Sequence, residues 1–265
     1  MPASSKSFVT NPIAGGDMMT QGYQAGLLIR YGQGKLKSAQ SLREQKSCSV
    51  ALLVTIVIKL LTQVMAYSDF TSVSKTTKAF GLSIKEEIIP LFEQASTVQP
   101  SAVLAEILNE NIPLAIATGS EKARSELIIS PILVELRKNF QRKISLFSGE
   151  SFDVDPEKGL NGVCDFLISS SPVLSEIQQP VIVIVEAKKG DFKSALGQCI
   201  AEMVGAQIFN NDARAVHGVV TIGTLWRFLL LEEKLVSIDL VEYPLPPIDK
   251  ILGILTAIIL KIYNT

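Results

Sequence analysis

The run "VIVIVEAK" at 181–188 restricts the fold more than any other stretch of this chain. Its first five residues are all β-branched, and a branch at Cβ stiffens χ1 and packs well on a pleated surface. Apolar side chains stand at every position rather than at every second one. A strand of that kind is buried on both faces, as at the centre of a sheet covered by helices on each side. Yet the run ends in Glu186 and Lys188, and the apolar run before it, "GVCDFLISS", carries Asp165 in its interior. Ionised groups are rare in buried strands unless something compensates them.

The surrounding pattern fits such a sheet. "KISLFSG", "GVCDFLISS" and "PVIVIVEAK" read as three strands. Gly190 and Asp191 then punctuate and cap a helix running to about Phe209, whose Phe192, Leu196, Ile200, Met203 and Val204 form a buried stripe. Ala195, Ala201 and Gly205 are small enough to let it approach the sheet closely. "AVHGVVTIG" returns as a strand beside the third through a right-handed crossover. "WRFLLLEE" and "VSIDLVEY" form a closing hairpin, and "ILGILTAIILKIY" is a terminal helix, too short for a bilayer and suited to core or dimer surface. Upstream, "TGSEKARSELIISPILVELRKNF" opens with Thr118 and Glu121 in capping-box spacing and predicts a helix kinked or broken at Pro131. Residues 75–111, including "SIKEEIIPLFEQA" and "SAVLAEILNE", repeat apolar residues at helical spacing. The expected fold class is therefore α/β: a central mixed β-sheet flanked by helices over 118–265, preceded by an N-terminal helical segment at 65–117.

Residues 1–64 differ in kind. They hold seven Lys/Arg against two Asp/Glu, whereas the remainder is net acidic by six. Residues 1–47 lack periodicity and read as disordered. The apolar segment "SVALLVTIVIKLLTQVMA" at 49–66 is the one membrane candidate, but Lys59 interrupts it after about ten apolar residues, and a spanning helix needs about twenty. Three readings stay open: a spurious upstream extension with the true start at Met65, a membrane anchor, or a packed helix. A membrane partner is not expected, and a cytoplasmic location is. Cys48, Cys164 and Cys199 are odd in number and lack C-x-x-C spacing, which suits a reducing compartment. A single histidine, His217, excludes multi-histidine metal sites and reads as structural.

Glu186 and Lys188 are two apart on a strand, so their side chains share a face. If the second and third strands pair, Asp165 lies beside Glu186. Two carboxylates about 4 Å apart repel by roughly 4 kcal/mol at an effective dielectric of 20. Such a pair protonates, splays apart or gathers a cation. A divalent ion, Mg²⁺ or Mn²⁺, resolves the conflict with Asp165, Glu186 and the Ala187 backbone carbonyl as hard oxygen ligands. Lys188 then stands where it can orient or deprotonate a nucleophilic water or offset charge on a phosphate. The competing reading is a structural Asp165–Lys188 ion pair with Glu186 facing solvent.

"CDF" followed by "VIVIVEAKK", within an order of helix, three strands, helix and strand, resembles the PD-(D/E)XK nuclease superfamily, the restriction-endonuclease-like fold. The likeness spans about residues 118–245, with Cys164 where the family name implies proline. It implies a Mg²⁺-dependent nuclease hydrolysing phosphodiester bonds, most naturally in DNA, with Asp165 and Glu186 on the metal and Lys188 assisting water. It also implies supporting roles for Glu126 on the first core helix and Gln198 on the following one, with Glu202 a turn later. Glu126 is otherwise a solvated helix residue, and Gln198 and Glu202 otherwise an exposed helix face. Basic clusters for nucleic acid are Arg137, Lys138, Arg142 and Lys143, and Lys188, Lys189 and Lys193. The alternative, favoured by the acidic balance of 65–265, is a catalytically silent nucleic-acid-binding or interaction protein on the same fold; a homodimer is compatible with either reading.

Overall fold

The computed structural model describes residues 65–188, 190, 192–212 and 214–263. The readings of 1–64, of Lys189 and of Asp191 as a cap lie outside these residues. In chain order the described elements are α1 (Val73–Phe80), β1 (Ser83–Glu87), a single turn at Pro90–Glu93, α2 (Ala102–Thr118), and α3, which opens at Glu121–Arg124. It widens into a π-turn at Ser125–Ile129 and resumes over Ser130–Asn139. Then follow β2 (Ser145–Ser151), β3 (Val163–Ser169), β4 (Val181–Ala187), α4 (Phe192–Asn210), β5 (Val216–Thr221), β6 (Leu225–Glu232), β7 (Leu235–Asp239), β8 (Tyr243–Pro244) and α5 (Asp249–Tyr263).

The strands form one mixed eight-stranded sheet ordered β1-β7-β6-β5-β4-β3-β2, with β8 against β6. The doubly apolar run is central: β4 pairs antiparallel with β3 and parallel with β5. All seven of its residues are buried. Two apolar layers cover the sheet. One joins α3, α5 and the Pro90–Glu93 turn to Val183, Val185 and Phe228. The other joins α4 to Ile184, Leu167 and Val220. Among the described residues no helix is long and apolar enough to cross a membrane.

Three local expectations need correction. "SIKEE", read as helical, is the edge strand β1, with Ile84 across from Val236 of β7. Ser83 N–H to Lys234 O (2.8 Å) and Leu240 N–H to Glu87 O (3.0 Å) extend the join at both ends. The unpaired backbone of β7 offers a full ladder, which outweighs weak helical spacing; Pro90 suits only the first turn of a new helix. The segment 65–117 is therefore not purely helical. Second, Thr118 does not cap α3. It ends α2, its hydroxyl donating to Leu114 O at 2.8 Å, while Gly119 turns left-handed (φ 66°). Ser120 is the cap, accepting from Ala123 N–H at 3.0 Å. Third, of the kink or break expected at Pro131, the break is absent, since the helix runs on to Asn139. The π-turn just before Pro131 absorbs the misfit, and the Asn111 side-chain amide donates to Leu127 O (3.0 Å), the carbonyl an N–H at position 131 would have taken.

Helix α4 is wedged between the sheet and the segment 67–80. A Cβ on Gly197 would lie 2.3 Å from Phe70 O and 2.6 Å from Ser72 N, both backbone atoms. The Thr76 hydroxyl donates to Gly197 O at 2.9 Å from the same side. Neither partner can retreat without moving the chain. Gly197→Ala is expected to lower stability by roughly 1–3 kcal/mol. Urea unfolding checks this, as a lower midpoint at unchanged m-value.

Candidate functional site

Glu186 is the penultimate residue of β4. Two positions earlier Ile184 pairs with Gly218, where an added Cβ would meet Met203 Sδ at 2.5 Å and Cys199 Sγ at 2.9 Å, both on α4. Strand alternation therefore turns Glu186 toward α4. The residue is 0% exposed, and neither carboxylate oxygen has a hydrogen bond of acceptable geometry. The Lys188 ammonium lies 2.5 Å from Oε1. Burial, then the charge of Asp165, raise its pKa to about 8 even though Lys188 pulls the other way. Burial is the largest single influence on the Lys188 ammonium and pulls it down, but Glu186, Glu121 and Asp165 together outweigh it and the net shift is upward.

The β3–β4 ladder ends with Phe166 opposite Val185. One step further, the same register sets Asp165 opposite Glu186. There backbone pairing gives way to a side chain: the Ala187 N–H donates to Asp165 Oδ2 at 2.8 Å. Asp165 is thereby fixed against the end of β4. Ala187 itself is buried, and the next amide, Lys188 N–H, donates to Thr221 O of β5 at 2.9 Å. The competing ion-pair reading is corrected in detail: Lys188 pairs with Glu186 rather than with Asp165, and Glu186 faces the interior, not solvent.

Helix α4 adds a second buried acid. Glu202 is 0% exposed, accepts from Gln198 Nε2 at 3.0 Å through Oε1, and leaves Oε2 without a partner. Burial, then the charge of Glu186, push its carboxyl well above the ordinary range. Gln198 thus reaches the cluster through Glu202, and Glu202 is not on an exposed face.

The expected acid on the first core helix is misplaced. Glu126 lies on the exposed side of the π-turn and pairs with Lys122 at 2.7 Å. Glu121, one turn earlier, approaches instead, with Oε1 3.9 Å from Lys188 Nζ. The helix start at Ser120 and the extra residue of the π-turn change which side chains look toward the sheet. Two arginines passed over in the sequence stand nearby. Arg124 donates to Ile222 O at 2.7 Å, just beyond β5. Arg227 lies across from Val220, the β5 neighbour of Glu186, with its guanidinium 5.4 Å above the Phe192 ring and paired to Glu242. The cluster Arg137–Lys143 is at the other end of the sheet, where Ser145 pairs with Ser169 and Ser169 with Val181. It is also partly engaged: Arg137 donates to Ile144 O (3.1 Å) and Lys138 pairs with Glu135 (3.5 Å).

The donors are hard carboxylate oxygens, and those of Glu186 and Oε2 of Glu202 are buried without hydrogen bonds. That chemistry fits Mg²⁺ or Mn²⁺ better than a soft or nitrogen-preferring ion. Among the described residues, no group of three or more His, Cys, Asp or Glu side chains is arranged to hold a metal. An ion here would rest on Asp165, Glu186, the Ala187 carbonyl and water. No protein-family model matches the chain, and no curated protein matches it either. What fold and site define is a class: an α/β protein with a mixed sheet, carrying buried acids and one lysine at the carboxyl ends of two parallel strands.

A carboxyl group whose folded pKa is raised contributes stability below its unfolded value, near 4.5, and loses it as pH climbs through the folded value, near 8. Wild type should therefore lose stability from pH 4.5 to 8.5 relative to Glu186→Gln, whatever their offset at pH 4.5. Melting temperatures of the two across that range test this. Parallel curves would contradict it.

Proposed function

We propose that the protein is a metal-dependent nuclease of PD-(D/E)XK type, hydrolysing phosphodiester bonds, most naturally in DNA. One observation carries the reading: a fully buried glutamate with neither oxygen hydrogen-bonded, next to a second strand-borne carboxylate and a lysine two residues on. A bound divalent ion would supply Lewis acidity to the phosphodiester. Asp165 and Glu186 would hold it, Asp165 already oriented by the Ala187 amide. Lys188, released from Glu186 as that charge is neutralised, would orient the attacking water and offset charge on the phosphate. Glu121 would steer the ammonium from the far side, and Gln198 would fix Glu202 so that the buried acids keep their spacing. The carboxyl ends of parallel strands are where open α/β sheets commonly receive ligands.

One observation favours a second reading, a catalytically silent nucleic-acid-binding or interaction protein. The Lys188 ammonium already sits 2.5 Å from Glu186, so the charge is partly compensated without any ion. A homodimer is compatible with either reading.

Metal titration separates the two. With Mg²⁺ or Mn²⁺ the wild type is expected to melt higher, by about 2.7 kcal/mol of added stability at a hundred times the dissociation constant, and Asp165→Ala is expected not to respond. The same ions should support cleavage of DNA. Lys188→Ala should lower the rate by about 10²–10⁴-fold, the usual worth of a positioned proton-transfer group. Metal binding without cleavage of any single- or double-stranded DNA or RNA would leave the silent reading standing and reject the enzyme.

A further inference from the structure

The opposite end of the sheet holds a cavity of about 350 Å³, where β4 and β5 begin and α4 and α5 end. This is within the size range of small-molecule sites. Val181, Ile182 and Ile262 give it apolar walls. His217 also lines it, completely buried, with its ring 6.3 Å from that of Phe92 and neither ring nitrogen hydrogen-bonded. The Ile182 backbone is close enough to pull the ring pKa up slightly but makes no hydrogen bond of acceptable geometry. Burial first, and the charge of Lys261 second, hold the pKa down at about 3, so the imidazole is neutral and presents one N–H donor. The other buried polar group in the wall, Asn210, is held by the chain: its amide exchanges hydrogen bonds of 2.7 and 2.8 Å with the Val181 backbone. His217 therefore offers a buried N–H and a bare ring nitrogen, neither with a hydrogen bond of acceptable geometry.

The rim is rich in cations. Arg214 and Lys261 line the cavity together with one acid, Glu232; Arg214 is paired with Asp212 at 2.9 Å and Lys261 lies 3.9 Å from Glu232. The basic turn that proved remote from the acidic site is adjacent, because Tyr263 of α5 stacks on Phe140 and its hydroxyl donates to Lys143 O at 3.3 Å. Arg142 and Lys143 are exposed there. Donors at the wall and rim, with apolar walls between, complement a ligand that is an acceptor at one end and hydrocarbon along its body.

We propose that this cavity binds a small monocarboxylate, with its carboxylate on Arg214 and the His217 N–H and its hydrocarbon body against Val181, Ile182 and Ile262. The proposal is independent of the nuclease reading. Titration calorimetry of the full chain with octanoate, and with 1-octanol as the uncharged control, tests it. Octanoate should bind saturably at one site, and octanol at least tenfold more weakly. Arg214→Gln, on the exposed rim, should weaken octanoate about tenfold while leaving the melting curve unchanged. His217→Phe, which keeps a ring of similar size and removes the donor, should weaken octanoate at least tenfold. Absence of saturable binding, octanol binding as tightly as octanoate, or an Arg214→Gln variant indistinguishable from wild type would each overturn the assignment.

Discussion

Glu186 is a carboxylate held on a central strand where no water reaches and no backbone amide points at it. Removing such a group from water costs several kcal/mol unless a partner makes up for it. Strand β4 cannot avoid the burden, because its seven residues are buried and its neighbours on either side are paired through the ladder. The compensation must come from the end of the strand. Lys188, first beyond the ladder, supplies part of it, with its nitrogen at 2.5 Å. The rest of the local structure follows from the same constraint. Asp165 replaces the backbone of β3 as acceptor for Ala187 N–H, so a second negative charge is held in place rather than free to swing away. Glu202 comes in from above on α4, and Glu121 from the start of α3.

That arrangement explains why α4 must pack so closely. Gly197 lies against the backbone of Phe70 and Ser72, and Gly218 on β5 leaves room for Met203 and Cys199. Bulk at either position would lift the helix, and with it Glu202, away from the sheet. Close packing here also sets how strongly the acids feel one another, since the low dielectric that makes burial costly also lengthens the reach of each charge.

The central sheet was legible because its signal is chemical and local: short apolar runs, rich in β-branched residues in β4 and β5 and mixed with Phe and Leu in β3, stand between Gly and Pro. The acid–acid–lysine set was legible for the same reason, since period two puts Glu186 and Lys188 on one face without knowledge of the fold. Elements decided by tertiary contact were not legible. "SIKEE" becomes a strand only because β7 has an open edge to offer, and nothing within those five residues says so. Glu126 turns outward and Glu121 stands nearer Lys188 because the helix starts at Ser120 and a π-turn ahead of Pro131 interrupts the period; Asn111, which takes up the freed Leu127 O, lies sixteen residues away in sequence. The burial of Glu202 depends on Gly197 and on a segment well over a hundred residues upstream. Arg227 reaches the site through a register of three strands, which no spacing along the chain encodes.

The two ends of the sheet hold opposite unmet demands. At the carboxyl ends of β4 and β5, buried acceptors outnumber donors: Glu186 has no hydrogen bond and Glu202 lacks one on Oε2. At their amino ends the N–H of buried His217 has no hydrogen-bonded acceptor, and Arg214 and Lys261 line the same cavity together with Glu232. The two sites lie on different faces as well as at different ends. Glu186 turns to the α4 layer, whereas His217, next to Gly218, turns to the layer of Phe92 and α5. Their separation along β5 is only from His217 to Val220, about 10 Å at 3.3 Å per residue. One strand in the core thus connects an acceptor-rich site to a donor-rich one.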